Sequence, residues 1–383
     1  MVPLRPVPRA RASHTPTLAL LISGLAAACG DPSSPTAPAP AGARPSAEVT
    51  ELDVTPGLTL YGLGSLRRTA TPQSPCAEGA FRQFDFWVGD WIAVSPNFPP
   101  PPTDPFGGTP SRITTALDGC AVLELWGGGG RSLNSYDPET GLWHQTWVPT
   151  AGRFPLRMAG GLRADGVMAM SGVRHPWFAR NASWIDAYTW TPVDADHVVQ
   201  AFTFDIVPGG FHLQGQLNYA RTTELPESLT LPGTTRCEPG AEAGETRLLD
   251  FTLGRWTVSA ENRLELGTSE IALDPAMSGC LLEEKFTTAR GYEAIGWMHY
   301  DPVENAFYRS YVDSEGGRLE LRGEVSSSPV TLEGAEPIPG SPDARVRVTW
   351  TSVSADRLEQ RWELSKDGGA TWRDVQTLVF TRA

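Results

Sequence analysis

Two carboxylates recur in matching surroundings: Glu124 and Glu284 each stand four residues after a Gly-Cys pair, Gly119-Cys120 and Gly279-Cys280. A carboxylate fixed twice could act as a general base. A strand-end hydrogen bond or ion pair shared by both copies explains the recurrence more simply, so no catalytic residue is assigned. The second constellation is aromatic. Trp143, Gln145 and Trp147 alternate along one stretch and Phe307, Arg309 and Tyr311 along its counterpart, so each trio shares one face of a strand. A polar group between two rings suits an apolar ligand with one hydrogen-bonding end, whereas rings at this spacing also fill cores. Histidines 144, 175, 197, 212 and 299 occupy no two equivalent places, so no metal or cofactor common to both copies is expected.

The remaining thiol chemistry is structural. Cys76 and Cys120 are 44 positions apart, and Cys237 and Cys280 are 43 apart. This suggests one bridge inside each copy in an oxidising compartment. The rival, a four-cysteine metal site, lacks a close Cys-x-x-Cys pair.

The elements that position these residues come in duplicate. Phe84-Asp85-Phe86-Trp87-Val88-Gly89-Asp90-Trp91 recurs as Leu249-Asp250-Phe251-Thr252-Leu253-Gly254-Arg255-Trp256. Tyr136-Asp137-Pro138 recurs as Tyr300-Asp301-Pro302, Gln200 as Gln360, and Tyr219-Ala220-Arg221 as Phe380-Thr381-Arg382. Residues 76–222 and 237–383 therefore form two domains joined by a linker at 223–236. In the first, apolar residues alternate with period two over 91–95, 112–117, 121–126, 131–136, 143–148, 167–172, 185–191, 197–204 and 211–221. No helical stripe is present. About eight to ten short antiparallel strands per copy predict an all-β protein of two tandem barrels. Asp85 and Asp250 are expected to cap the turn before each first strand. Ser365-Lys366-Asp367-Gly368-Gly369-Ala370-Thr371-Trp372 resembles the Asp-box hairpin of sialidase propeller blades; occurring once, it predicts a tight turn and not an active site.

The N-terminus sets the compartment. Arg5, Arg9 and Arg11 precede an apolar run from about Leu18 to Ala28, too short to span a bilayer, which reads as a bacterial secretory signal over 1–28. Leu25-Ala26-Ala27-Ala28-Cys29 resembles a lipoprotein box, in which the Cys29 thiol takes a diacylglyceryl group and tethers the chain to a membrane without embedding it. Residues 29–75, rich in Pro, Ala, Ser and Thr, form a stiff extended spacer in which Thr59-Leu60-Tyr61 could add a stray strand. Loss of the three signal arginines takes the net charge from -13 to -16. Such a surface repels nucleic acid and anionic lipid heads.

The Phe-Asp-Phe-Trp-x-Gly-x-Trp opening, the Asp-Gly-Cys with its following Glu, and the Tyr-Asp-Pro before Trp143-His144-Gln145-Thr146-Trp147 resemble an uncharacterised bacterial family of the calycin superfamily of lipocalin-like barrels. The resemblance covers nearly all of both copies. It implies a Gly-x-Trp signature at Gly89, Trp91, Gly254 and Trp256, with Arg221 and Arg382 packed over those tryptophans to close one end of each barrel. By analogy with haem-binding calycins, His212 is a haem-ligand candidate. Three activities follow as alternatives. The first is binding of a small hydrophobic molecule in a barrel cavity bounded by Trp143 and Trp147. The second is a scaffold with filled barrels that meets envelope proteins or glycans through Pro96 to Pro110 or His175-Pro176-Trp177-Phe178. The third, an enzyme using Glu124 or Glu284, is the least favoured.

Overall fold

The computed structural model describes residues 74–383 except 102–103, 153, 175–182, 208–209, 234–235, 239, 242–243, 261–264, 290, 325 and 337–339. The expected signal, Cys29, nearly all of the spacer with Thr59-Leu60-Tyr61, and the His175 to Phe178 stretch lie outside the described residues. The first repeat contains β1 Gly89–Val94, β2 Thr109–Ala116, β3 Ala121–Trp126, β4 Gly130–Asp137, β5 Leu142–Pro149, β6 Leu156–Leu162, β7 Met168–Arg174, β8 Ser183–Pro192, β9 His197–Val207 and β10 Phe211–Arg221. The second contains β11 Gly254–Ala260, β12 Glu265–Leu273, β13 Leu282–Thr288, β14 Glu293–Asp301, β15 Ala306–Asp313, β16 Arg318–Glu324, β17 Val330–Ala335, β18 Arg345–Ser354, β19 Arg357–Ser365 and β20 Arg373–Arg382. Each strand pairs with its chain neighbours, and β1 with β10 and β11 with β20 complete two closed antiparallel barrels of ten strands. Two such barrels fit a tandem calycin-like fold. Strand β6 has no counterpart in the alternation of the sequence, because Ala159-Gly160-Gly161 carries no side chains large enough to alternate.

One end of each barrel closes in the same way. Trp91 and Trp256 are fully buried, and their indole nitrogens donate to the carbonyls of Trp87 (2.8 Å) and Thr252 (2.9 Å). The Arg221 guanidinium lies 4.2 Å from the Trp91 ring centroid and that of Arg382 4.3 Å from Trp256. Arg221 also donates to the carbonyls of Val88 and Ala195, and Arg382 to those of Leu253 and Ala355. Gly89 and Gly254 sit at φ 145° and 141°, and a Cβ on either would collide with the arginine above it. Asp85 and Asp250 do not cap the turn. Each instead forms an ion pair with the arginine three residues before it, Arg82 and Arg247, at 2.7 Å, because that side chain reaches the carboxylate from the preceding turn. At the β19–β20 connection Ser365, Asp367 and Thr371 hydrogen-bond around Gly368 and Gly369, both at positive φ, which is the tight turn expected there.

The barrels are not independent domains on a string. In β14 and β15 nearly every residue is buried, on both faces, which in a barrel means the outer face is covered. Leu133 and Val148 of the first barrel share one apolar cluster with Leu281, Ile295, Trp297 and Val312 of the second. Leu231 from the linker joins it, and Arg112 holds the linker by the carbonyls of Pro226 and Glu227. Thr146 and Ser310, which occupy the same position of their barrels, hydrogen-bond at 2.7 Å. Bridges Cys76–Cys120 and Cys237–Cys280 both lie at this junction: Gly316 faces Cys76 and Gly152 faces Cys237 and Cys280, with no room for a Cβ beside Gly152. Arg157 crosses to barrel 2, 3.5 Å from the centroid of Tyr308 and within ion-pair reach of Asp301 and Glu304.

A buried carboxyl at the junction gives a pH-dependent stability. Burial, then the charges of Glu139 and Asp137 on the first barrel, push Glu336 from 4.5 up to about 8. The native group keeps a proton that the unfolded one has lost, so stability falls as pH rises from about 4.5 to 8. Glu336→Gln is expected to remove that slope and to be more stable than wild type at pH 8 by on the order of 2 kcal/mol. Urea unfolding at pH 5 and pH 8 measures it; parallel curves for the two proteins would count against it.

Candidate functional site

Barrel 1 contains a cavity of about 120 Å³ whose polar end is Glu124 on β3. Its carboxylate is 6% exposed and accepts hydrogen bonds from Ser111 on β2 (3.0 Å) and Ser132 on β4 (3.1 Å). Burial pushes it up to about 7, against the pull of those two hydroxyls. Gln145 on β5 also lines the cavity, its amide nitrogen donating to Asn134 at 2.7 Å. Tyr219 closes the inner end, 3.5 Å from Gln200. Burial raises the phenols of Tyr188 and Tyr219 above their ordinary range, helped by the charge of Asp186 at Tyr188 and by that of Glu124 at Tyr219. The buried Leu156 lines it as well, and Trp126, Trp147, Tyr188, Phe202 and Leu217 complete the wall and are only half-buried, so this side of the cavity meets solvent. Among the described residues no Arg, Lys or His lines it.

Register fixes the counterpart of each residue in barrel 2. Glu124 lies opposite Ser132, and Glu284 opposite Gly296; Trp147 lies opposite Ser132, and Tyr311 opposite Gly296. Two steps along the strand, Gln145 matches Arg309. The difference in charge there changes the whole interior. Arg309 Nη2 lies 2.6 Å from Glu284 Oε2, with both side chains fully buried, while Ser269 donates to the other oxygen at 2.9 Å as Ser111 does in barrel 1. The guanidinium carbon lies 4.7 Å from the centroid of Tyr311 and 5.6 Å from that of Trp350. Gly296 makes the space, since a Cβ there would come 3.2 Å from Glu284 Oε2 and 3.5 Å from Arg309 Nε. Phe286, Val348, Trp362 and Leu378, the counterparts of Trp126, Tyr188, Phe202 and Leu217, are all sealed at 0–1% exposure.

Of the six residues singled out as ligand contacts, Gln145 and Trp147 border the cavity. Trp143 shares their strand face but lies one layer deeper, edge-on to Phe84 at 5.6 Å and donating to Gln83. Phe307, Arg309 and Tyr311 are core residues of barrel 2. Alternation alone does not reveal that Glu124, Tyr188, Phe202 and Leu217 meet Trp147. The signal for them is parity, since Tyr188 faces with Trp190, Phe202 with Gln200 and Leu217 with Tyr219. His212 is exposed on β10, 2.6 Å from Asp205, away from the cavity. His144 faces the second barrel, where burial and then Arg318 hold it down at about 4. Phe98, in the insertion considered as a contact surface, is 80% exposed.

A second space of about 510 Å³ lies in the groove between the barrels, beside His144, Arg157, Arg318 and Arg322. Its arginines are paired with Asp301, Glu304 and Glu320. Among the described residues no cluster of His, Cys, Asp or Glu could hold a metal ion, and no helix is long and apolar enough to cross a membrane.

No family model matches the chain, and no curated protein matches it either. Among solved structures it is similar to a protein of unknown function from the DUF3598 family of Nostoc punctiforme, at 10% identity over 80% of this chain and 100% of that one, with a TM-score of 0.18. Transferrin binding protein B of Haemophilus parasuis matches at 9% identity over 76% and 74%, TM-score 0.17. Kievitone hydratase of Nectria haematococca matches at 9% over 82% and 96%, TM-score 0.14. Likeness at this level says nothing of activity, and the barrels stand on their own strand pairing.

Proposed function

We propose that the chain is an exported, lipid-anchored binding protein whose first barrel takes one small, largely apolar molecule against Glu124, while the second is a filled structural partner. The observation that carries this reading is the Gln145/Arg309 difference: one interior is plugged by its own ion pair, and the other keeps an acid, aromatic walls and a solvent-facing side. Two bridges fit an oxidising compartment, and the signal-like N-terminus with Cys29 supplies the route and the tether. Glu284, tied to Arg309, has no part in binding.

The test is native mass spectrometry of the mature chain carrying Cys29→Ser, prepared from a periplasmic host. A reproducible small molecule is expected, and Leu217→Trp, which fills the cavity from its wall, should weaken its retention by about tenfold or more. A protein that carries no small molecule would leave the scaffold reading, with envelope proteins or glycans meeting the outer surface.

A further inference from the structure

We infer that the ligand of barrel 1 presents a compact cation, an alkylammonium or guanidinium group, to Glu124, in the place that the Arg309 head fills in barrel 2. The inference deepens the binding reading and rests on it. Barrel 2 supplies the template, because the same chain has built this interior twice. In one copy a guanidinium sits against the glutamate and over two aromatic rings; in the other the glutamate, its serine partner and the rings remain, and the guanidinium is replaced by the shorter, uncharged Gln145. The counterpart of Tyr311 is Trp147, which lines the cavity, and indole offers a cation a better face than phenol does; that of Trp350 is Trp190, which lies behind the lining, stacked on Tyr188. Tyr188 and Tyr219 add further electron-rich faces around the acid.

A carboxylate in an apolar cavity without a counter-ion is costly to ionise, and a cation delivered by a ligand removes that cost. The two serine hydroxyls already donate to it, an arrangement that favours the charged form. Ser132 shares the oxygen that Arg309 reaches in barrel 2, so the ligand would be a second donor there. Size restricts the class. A cavity of about 150 Å³ holds the six carbons of benzene, so the 120 Å³ here suits about five heavy atoms. Methylguanidinium and n-butylammonium are of that size.

The charge also fixes the sign of the pH dependence. With the carboxyl at about 7 in the empty barrel, a cation binds only its ionised form, so affinity rises with pH and is about 100-fold weaker at pH 5 than at pH 8. A neutral ligand accepting a hydrogen bond from the protonated acid would show the opposite slope.

Isothermal titration calorimetry of the mature Cys29→Ser chain with methylguanidine, n-butylamine and their neutral isosteres methylurea and n-butanol decides between these. The expected result is binding of the two cations alone, strengthening from pH 5 to 8, and lost in Glu124→Gln. The double variant Ser132→Gly/Gln145→Arg, which rebuilds the plug of barrel 2, should fold and also lose it. Retained cation binding in Glu124→Gln overturns the inference, as does binding of the neutral isosteres with affinity falling as pH rises, or a neutral molecule co-purifying with the chain. In the last two cases the cavity still binds and only the charge is wrong. No heat from any of the four compounds, together with no co-purified molecule, overturns the binding reading as well.

Discussion

Arg309→Met is expected to lower the unfolding free energy by about 3–5 kcal/mol, the loss that follows removal of one partner from a buried ion pair. Both partners are fully buried and 2.6 Å apart, so the variant leaves Glu284 in the core with the Ser269 hydroxyl on its other oxygen. Arg309→Met/Glu284→Met should recover most of the loss, because apolar residues of similar volume replace a buried pair at little cost. Urea unfolding followed by tryptophan fluorescence reads all three proteins. A double variant as unstable as the single one would show that the pair's charge is not what matters at this position.

Cys237→Ser/Cys280→Ser is expected to cost about 4 kcal/mol from the unfolded-state entropy of its loop. With a shift of about 2–4 °C per kcal/mol for chains of this size, the transition should fall by roughly 8–16 °C. The loop spans 43 residues, yet its effect should not stay inside barrel 2. Gly152 of barrel 1 is pressed against both sulfurs, and the Thr150 carbonyl oxygen lies 3.3 Å from Cys280 Sγ. Loosening the bridge therefore loosens the junction. Scanning calorimetry of the variant and of oxidised wild type measures the difference; a fall of less than about 2 °C would show that the bridge carries no weight.

The barrel count, the closed end and the bridges were legible because each rests on local or repeated features. Gly89-Asp90-Trp91 and Gly254-Arg255-Trp256 mark a strand start by themselves, and period-two alternation marks most strands. What the sequence concealed was register. Glu284 and Arg309 are 25 positions apart, and nothing in either neighbourhood says that they touch. Gln145 and Arg309 both stood out as polar residues between rings, but whether such a residue meets a ligand or a neighbour depends on which strand positions face each other. Glu124 was equally visible, and its want of a cation among the described residues follows only once β3 and β5 are placed around one cavity. The covered faces of β14 and β15 were legible in part: Ile295-Gly296-Trp297-Met298-His299-Tyr300 is apolar at both parities, which an exposed barrel wall would not be. Asp85 departs from the cap expected of it for a local reason, since the arginine three residues back competes for its carboxylate.

The hydrogen bond between Thr146 and Ser310, and the glycines that each press on the opposite bridge, share one symmetry. Equivalent positions meeting one another is the contact that two identical chains make across a two-fold axis. It gives the two barrels of this chain the arrangement of a self-paired homodimer joined end to end. In a homodimer every substitution appears in both interiors at once. A single chain is free of that constraint, and the arginine that closes one barrel can stand while its twin stays open.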